Sequence, residues 1–263
     1  MKRCTYLLTA LLLWGMLTVP AGAARRSVPV QADGKAVTSA AYVDPGVTYV
    51  PLRALLTALG GWEVWWDSGN GQAAAASQSG SLRADPAANT VTVSGRTLPG
   101  RVTVERGVTY VPLRLVCEAL GCRVEWDPYL GGAAVTSPGA AYDAGELYWL
   151  ARIIYAESGG ESITGQIAVG NVILNRVKSS QFPDTVEGVI FDRKDAVQFE
   201  PVGNGRIYQT PSAQSVEAAK RALDGENVIG SALYFYAPAL SRGTWINANC
   251  TYQQTIGCHR FYI

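Results

Sequence analysis

The sequence predicts an α+β protein in two parts, and three observations carry that prediction. The octapeptide Gly46-Val-Thr-Tyr-Val-Pro-Leu-Arg53 recurs identically as Gly107-Val-Thr-Tyr-Val-Pro-Leu-Arg114, each copy set among alternating, strand-like residues. From Ala144 the apolar residues change to helical spacing. The tail then returns to strand chemistry in Ala232-Leu-Tyr-Phe-Tyr236 and His259-Arg-Phe-Tyr262. These give an N-terminal pseudo-symmetric two-repeat α+β module over residues 28–136, a linker over 137–144, and a helix-rich α+β domain over 145–263. A chain of 263 residues has room for both cores.

Lys2 and Arg3 precede an apolar run from Tyr6 to Val19, and Ala21-Gly22-Ala23 supplies small residues for cleavage, so residues 1–23 read as an export signal. That run is too short for a comfortable membrane span, and no later stretch approaches one. Within the repeats, each octapeptide leads into a short helix, Ala54 to Leu59 and Leu115 to Leu120, closed by Gly60 or Gly121. Each copy ends in a strand, Glu63-Val-Trp-Trp-Asp67 and Arg123-Val-Glu-Trp-Asp127. Thr90 to Ser94 and Arg101 to Glu105 alternate as strands before the second copy. The Ala-, Ser- and Gln-rich stretch from Gly69 to Gly80 reads as a loop, and Thr136 to Asp143 as a breaker-rich linker.

In the second half, Leu147, Leu150, Ala151 and Ile154 form an apolar stripe that runs into Glu157 before Gly159-Gly160. Ser162 to Ser179 forms the next helix, Asp184-Thr-Val-Glu187 has capping-box spacing for a short one through Ile190, and Thr210 to Gly225 forms another with Pro211 early and Gly225 past its end. Net charge is +1, which argues against nucleic acid as a partner. Beyond Cys4 the cysteines are Cys117, Cys122, Cys250 and Cys258, for which two local disulfides are feasible in an oxidising compartment. His259 is the sole histidine, so no metal centre of several imidazoles can be built in one chain, and no cofactor is implied.

Glu157 is the leading candidate for chemistry. A carboxyl on the buried face at a helix end can hold a raised pKa, as a general acid needs near neutral pH. Taken alone, the segment reads more simply as a solvated glutamate at a fraying terminus. Glu161 has capping-box spacing from Ser158 and suits the start of the next helix, while Glu200 suits a cleft wall.

Two resemblances extend this reading. The repeated Tyr-Val-Pro-Leu-Arg, short helix, Gly and Trp-Asp strand resembles the copper amine oxidase N-terminal-like, or stalk, domain, without implying a metal. Ala151-Arg-Ile-Ile-Tyr-Ala-Glu157, Gly165-Gln-Ile-Ala-Val169, Val172-Ile-Leu-Asn-Arg176, Gln198-Phe-Glu-Pro-Val202 and Thr255-Ile-Gly-Cys-His-Arg-Phe-Tyr262 occur in order, and residues 145–263 resemble the SleB/CwlJ-type cell wall hydrolase family. The resemblance implies a lysozyme-like domain that cleaves peptidoglycan glycan strands as a lytic transglycosylase, with the catalytic glutamate at Glu157. It also implies a secreted protein at the cell wall or spore cortex, whose stalk binds wall or another protein. The family's best-known spore enzyme has a different N-terminal domain, which leaves the biological setting open. Candidate substrate contacts are Gln198, Phe199, Tyr234 and Tyr236, with Trp245 as a stacking ring and His259 in a supporting, hydrogen-bonded role. The competing readings are a muramidase that uses water, a wall peptidase or amidase built on Cys258 or Cys250 with His259, and a non-catalytic wall-binding protein. Adjacent residues on a strand face opposite ways, which argues against pairing Cys258 with His259.

Overall fold

The structure is a computed structural model that describes residues 25–37, 41–194 and 197–263, so the expected export signal lies outside the described residues. Strands β1 (Arg26–Ser27), β2 (Val30–Ala32) and β3 (Lys35–Ala36) precede the first repeat, β4 (Tyr42–Asp44), β5 (Val47–Pro51), α1 (Leu52–Leu59) and β6 (Glu63–Asp67). Then come β7 (Gln72–Ser77), β8 (Gly80–Asp85), β9 (Thr90–Val93) and β10 (Arg96–Pro99). The second repeat is β11 (Thr103–Glu105), β12 (Val108–Pro112), α2 (Leu113–Ala119) and β13 (Arg123–Asp127), followed by β14 (Gly132–Thr136).

In each octapeptide the proline sits at the strand-to-helix corner, where its fixed φ ends the ladder and opens the helix. The repeats meet through antiparallel β5 and β12, with Val50 opposite Val111, Tyr49 opposite Pro112 and Pro51 opposite Tyr110. That reciprocal pairing is a local twofold. Tyr49 is buried and stacks on Tyr42, which places it in the corner packing. Leu52, Leu55 and Leu56 of α1 and Leu113, Val116 and Cys117 of α2 fill the core beneath.

The stretch from Gly69 to Gly80 is not a loop. It contains β7, an interior strand between β6 and β8, with Ala73, Ala74 and Ala75 buried. Alanine has little preference for strands, and the ladders on both sides decide the conformation. The last sheet is completed from a distance, since β2 pairs parallel with β14.

The second half contains α3 (Ala144–Ser158), α4 (Ile163–Val177), α5 (Val186–Ile190), α6 (Glu200–Asn204), a 3-10 turn at Arg206–Tyr208, α7 (Ala213–Leu223), β15 (Tyr234–Tyr236), α8 (Thr244–Asn249), β16 (Tyr252–Ile256) and β17 (His259–Tyr262). α3 is buried on nearly every face, with Trp149, Leu150, Ile153 and Ile154 fully enclosed, where the sequence indicated a single stripe. Helices α4 and α7 pack against it, and the three-stranded sheet β15-β17-β16 closes one side.

The caps differ in detail from expectation. Ser162, not a Ser158–Glu161 box, caps α4 through the Gly165 N–H; Thr185 caps α5 through Gly188; and Ser212 caps α7, leaving Pro211 outside the helix. The expected linker is stitched down. Ser137 donates from its amide and hydroxyl to Asp33, the Ala144 amide donates to the Thr136 hydroxyl, and Asp143 caps α3. Trp149 Nε1 donates to Asp127 Oδ2 at 2.7 Å, and Tyr129 stacks on Phe191 with centroids 4.3 Å apart. Both contacts tie the repeats to the helices. The four described cysteines are free thiols and not disulfides.

Candidate active site

Glu157 occupies the last turn of α3, half-buried, as that helix meets Gly159. Burial pushes its carboxyl up to about 7; Arg206 opposes the shift and Glu200 adds to it. Arg206 is held there because its Nη2 donates to the Ala156 carbonyl at 2.9 Å, which fastens the 3-10 turn to the end of α3. Thus Glu157 lies between an apolar helix end and a segment carrying one cation and one carboxylate. A glutamate so placed is protonated and ionised in comparable amounts near neutral pH, which suits proton donation followed by proton return.

The loop after Glu157 is fixed by side chains that sequence reasoning missed. Fully buried Gln166 donates from Nε2 to the carbonyls of Gly159 and Glu161 and accepts from the Ser215 hydroxyl at 2.8 Å. Gln214 adds a bond to the Glu161 carbonyl. A polar residue on the apolar stripe of α4 was the available signal. Glu161 accepts from the Cys258 amide, while Gly257, with φ +56°, lies so close that a Cβ would strike its carboxylate. Its role is to hold the terminal hairpin.

The remaining candidates fall into three places. Half-buried Gln198, buried Phe199 and exposed Glu200 form the entry to α6, beside Glu157. Phe199 is too enclosed to offer its ring to a saccharide. It packs against the guanidinium of Arg176, which is also covered by Phe182 and Tyr234 at 4.7 and 5.4 Å. Burial pulls Arg176 down to about 10, its Nε donates to the Leu233 carbonyl, and its Nη1 has no hydrogen-bond partner among the described residues. Tyr234 lies edge-on to Trp245, whose ring is 58% exposed and able to stack on a sugar. Arg176 therefore joins the Phe199 segment to the Tyr234–Trp245 pair, a link invisible in the sequence.

Tyr236 shares a strand face with Tyr234 and also meets α8, but its hydroxyl is engaged by Asn247 and its ring lies against Tyr262. His259 is buried against Phe235 and Phe261, and its Nδ1 lacks a partner among the described residues, so its support is packing and not the hydrogen bond expected. Burial keeps its imidazole below the usual range and therefore neutral. The Cys258 thiol is pushed up by its hydrogen bond to Glu161 and Cys250 by burial, the reverse of what a thiolate nucleophile requires.

Residues 160–262 match the Cell Wall Hydrolase family and residues 31–132 the Copper amine oxidase N-terminal domain. The chain thus has a stretch similar to cell wall hydrolases behind one similar to the copper amine oxidase N-terminal domain, each match covering less than half of it. Among individual relatives, the spore cortex-lytic enzyme of Bacillus cereus is 41% identical over 105 residues, which cover 40% of this chain and 39% of that one. The spore cortex-lytic enzyme of Oceanobacillus iheyensis is 37% identical over 131 residues, 50% of this chain and 46% of that one. The solved catalytic domain of the germination-specific lytic transglycosylase SleB from Bacillus anthracis is 38% identical, with a TM-score of 0.43 over 48% of this chain and 99% of that one. The chain spans less than half the length of these two curated relatives.

Proposed function

We infer that the second half cleaves peptidoglycan glycan strands as a lytic transglycosylase, with Glu157 as the single acid and base. The observation that carries this reading is a half-buried carboxyl raised by burial to about 7 at the end of a rigid helix. Protonated Glu157 gives its proton to the oxygen that bridges N-acetylmuramic acid and N-acetylglucosamine. The bond from that oxygen to the anomeric carbon breaks while positive charge grows on the sugar. The muramyl 6-hydroxyl attacks the anomeric carbon, and ionised Glu157 takes the hydroxyl proton. A 1,6-anhydro ring closes and the acid is restored. No second catalytic carboxylate is required.

Glu200 supports one alternative. Its charge acts on Glu157 from the N-terminal turn of α6, where a carboxylate could activate water and give muramidase hydrolysis. Trp245 and Tyr234 provide the ring surface for neighbouring saccharides. The names of the relatives make spore cortex the first substrate to test, and we place the protein outside the cell at the wall or cortex.

The test is mass analysis of muropeptides released from cortex and vegetative sacculi side by side. Anhydro-muramyl ends support the transglycosylase and reducing ends the Glu200-assisted muramidase. Free peptides, or loss of release on thiol alkylation of the folded protein, would sink the glutamate mechanism in favour of cysteine chemistry.

A further inference from the structure

The local twofold of the first half creates two equivalent grooves. One, about 690 Å³, lies between α1, β6 and the start of β12 and is lined by Lys35, Arg53, Thr57, Trp65, Trp66 and Val108. The other, about 600 Å³, lies between α2, β13 and the start of β5, with Arg26, Val47, Arg114, Glu118, Glu125 and Trp126. Arg53 corresponds to Arg114, Thr57 to Glu118, Trp66 to Trp126 and Val108 to Val47.

In both grooves the tryptophan is left uncovered by its own sheet. Trp66 faces Ala73 across the strands and Trp126 faces Ala133, residues too small to cover the ring opposite, and the tryptophans remain 46% and 50% exposed. The packing indole of Trp149, on α3, is by contrast fully enclosed. The copies differ in charge. Arg114 is neutralised by Glu118 at the i,i+4 position, 3.3 Å away, and its Nη1 also donates to the Val124 carbonyl. Thr57 takes that place in the first groove, so Arg53 has no ion pair among the described residues, and no carboxylate lines the groove.

We propose that the first groove binds a glycan segment of peptidoglycan together with the stem peptide it carries, with Trp66 stacking on a sugar ring and Arg53 and Lys35 engaging a stem-peptide carboxylate. A pyranose offers an apolar C–H face to an indole, while the stem peptide joined to the muramyl lactate by an amide presents its own carboxylates to a planar guanidinium that pairs them through parallel N–H bonds. The groove volume lies within the range of small-ligand sites, about 300–1,000 Å³. Two equivalent grooves on one module fit a polymer that presents the same unit repeatedly, and the second, whose arginines are balanced by glutamates, serves as a weaker subsite. The choice of peptidoglycan among acidic glycans rests on the proposed function of the second half.

The test is co-sedimentation of the full chain carrying Glu157→Gln with sacculi stripped of secondary polymers, alongside sacculi whose carboxyl groups have been amidated. Trp66→Ala and Arg53→Ala are each expected to weaken binding about tenfold, the size of one charge-assisted hydrogen bond or one lost ring contact. Trp126→Ala is expected to weaken it less, and amidated sacculi are expected to bind the parent as stripped sacculi bind Arg53→Ala. Undiminished binding by both first-groove variants, indifference to amidation, or a larger loss from Trp126→Ala would overturn the proposal. So would a change of oligomeric state in Trp66→Ala, which would assign the indoles to self-association. Release of muropeptides by the unmutated chain is read separately, so binding without cleavage leaves the groove standing and removes only the catalytic reading.

Discussion

Glu157 concentrates both the proposed chemistry and a cost to stability. With its folded pKa raised to about 7, against an unfolded value of about 4.3, the folded protein retains a proton that the unfolded chain releases. That contribution is complete below the unfolded value and is lost as pH rises through the folded one. Glu157→Gln is therefore expected to melt higher than the parent at pH 8 and alongside it at pH 4, by roughly 1–3 kcal/mol at the alkaline end. Muropeptide release is expected to fall at least about a hundredfold in the same variant. In the parent, release is expected to decline as pH rises through about 7, since the donor must be protonated. An alkaline-stable variant that keeps full activity would remove Glu157 from the mechanism. A carboxyl at the end of an apolar helix stripe is a local pattern, but that pattern alone reads as a solvated glutamate, and it is the family resemblance that singles out Glu157. Arg176 and Arg206 were not legible, because each acts on backbone or rings brought in from elsewhere in the chain, and Gln166 left only the signal of a polar residue on an apolar stripe.

At the scale of elements, α3 links the repeats to the candidate site. Its N-terminus is capped by Asp143, Trp149 in its middle donates to Asp127 of β13, and Glu157 lies in its last turn. Trp149→Phe keeps most of the ring but leaves the Asp127 carboxylate without that donor, and is expected to cost about 1–3 kcal/mol in thermal unfolding. A loss below about 0.5 kcal/mol would show that the bond does not couple the two halves. Long helices and the octapeptide corners follow from sequence because their periodicity or proline is local. β7 was missed because its alanines become a strand only between two partners, and β16 because its pairing with β17 is interrupted by a register shift near Gln254. The short helices α6 and α8 carry too few turns for any periodicity to show.

In the whole molecule, the two halves meet at a cleft of about 460 Å³ lined by Glu125, Asp127, Asp143, Glu146 and Glu187. Burial, with Asp127, Asp143 and Glu146 nearby, pushes Glu187 up to about 7, and burial also raises Glu146. Arg123, paired with Asp143 and Glu125, is the cation at its edge. By the same sign as for Glu157, this junction is soundest in acid and loses stability as pH climbs past neutrality. Glu187→Gln is expected to raise the melting temperature at pH 8, with no change at pH 4 and unaltered muropeptide release. A melting curve at pH 8 that overlays the parent would show that the cleft carboxyls are solvated.

The parallel pairing of β2 with β14 sets a timetable for biosynthesis. An early strand must wait about a hundred residues for its neighbour, so the amino-terminal layer cannot close until Thr136 has left the ribosome. The helical layer that follows draws on partners nearer in the chain, and its nascent contacts can form promptly once translated. Acquisition of structure therefore need not follow the order of synthesis, and a chain halted short of β14 remains an open thread.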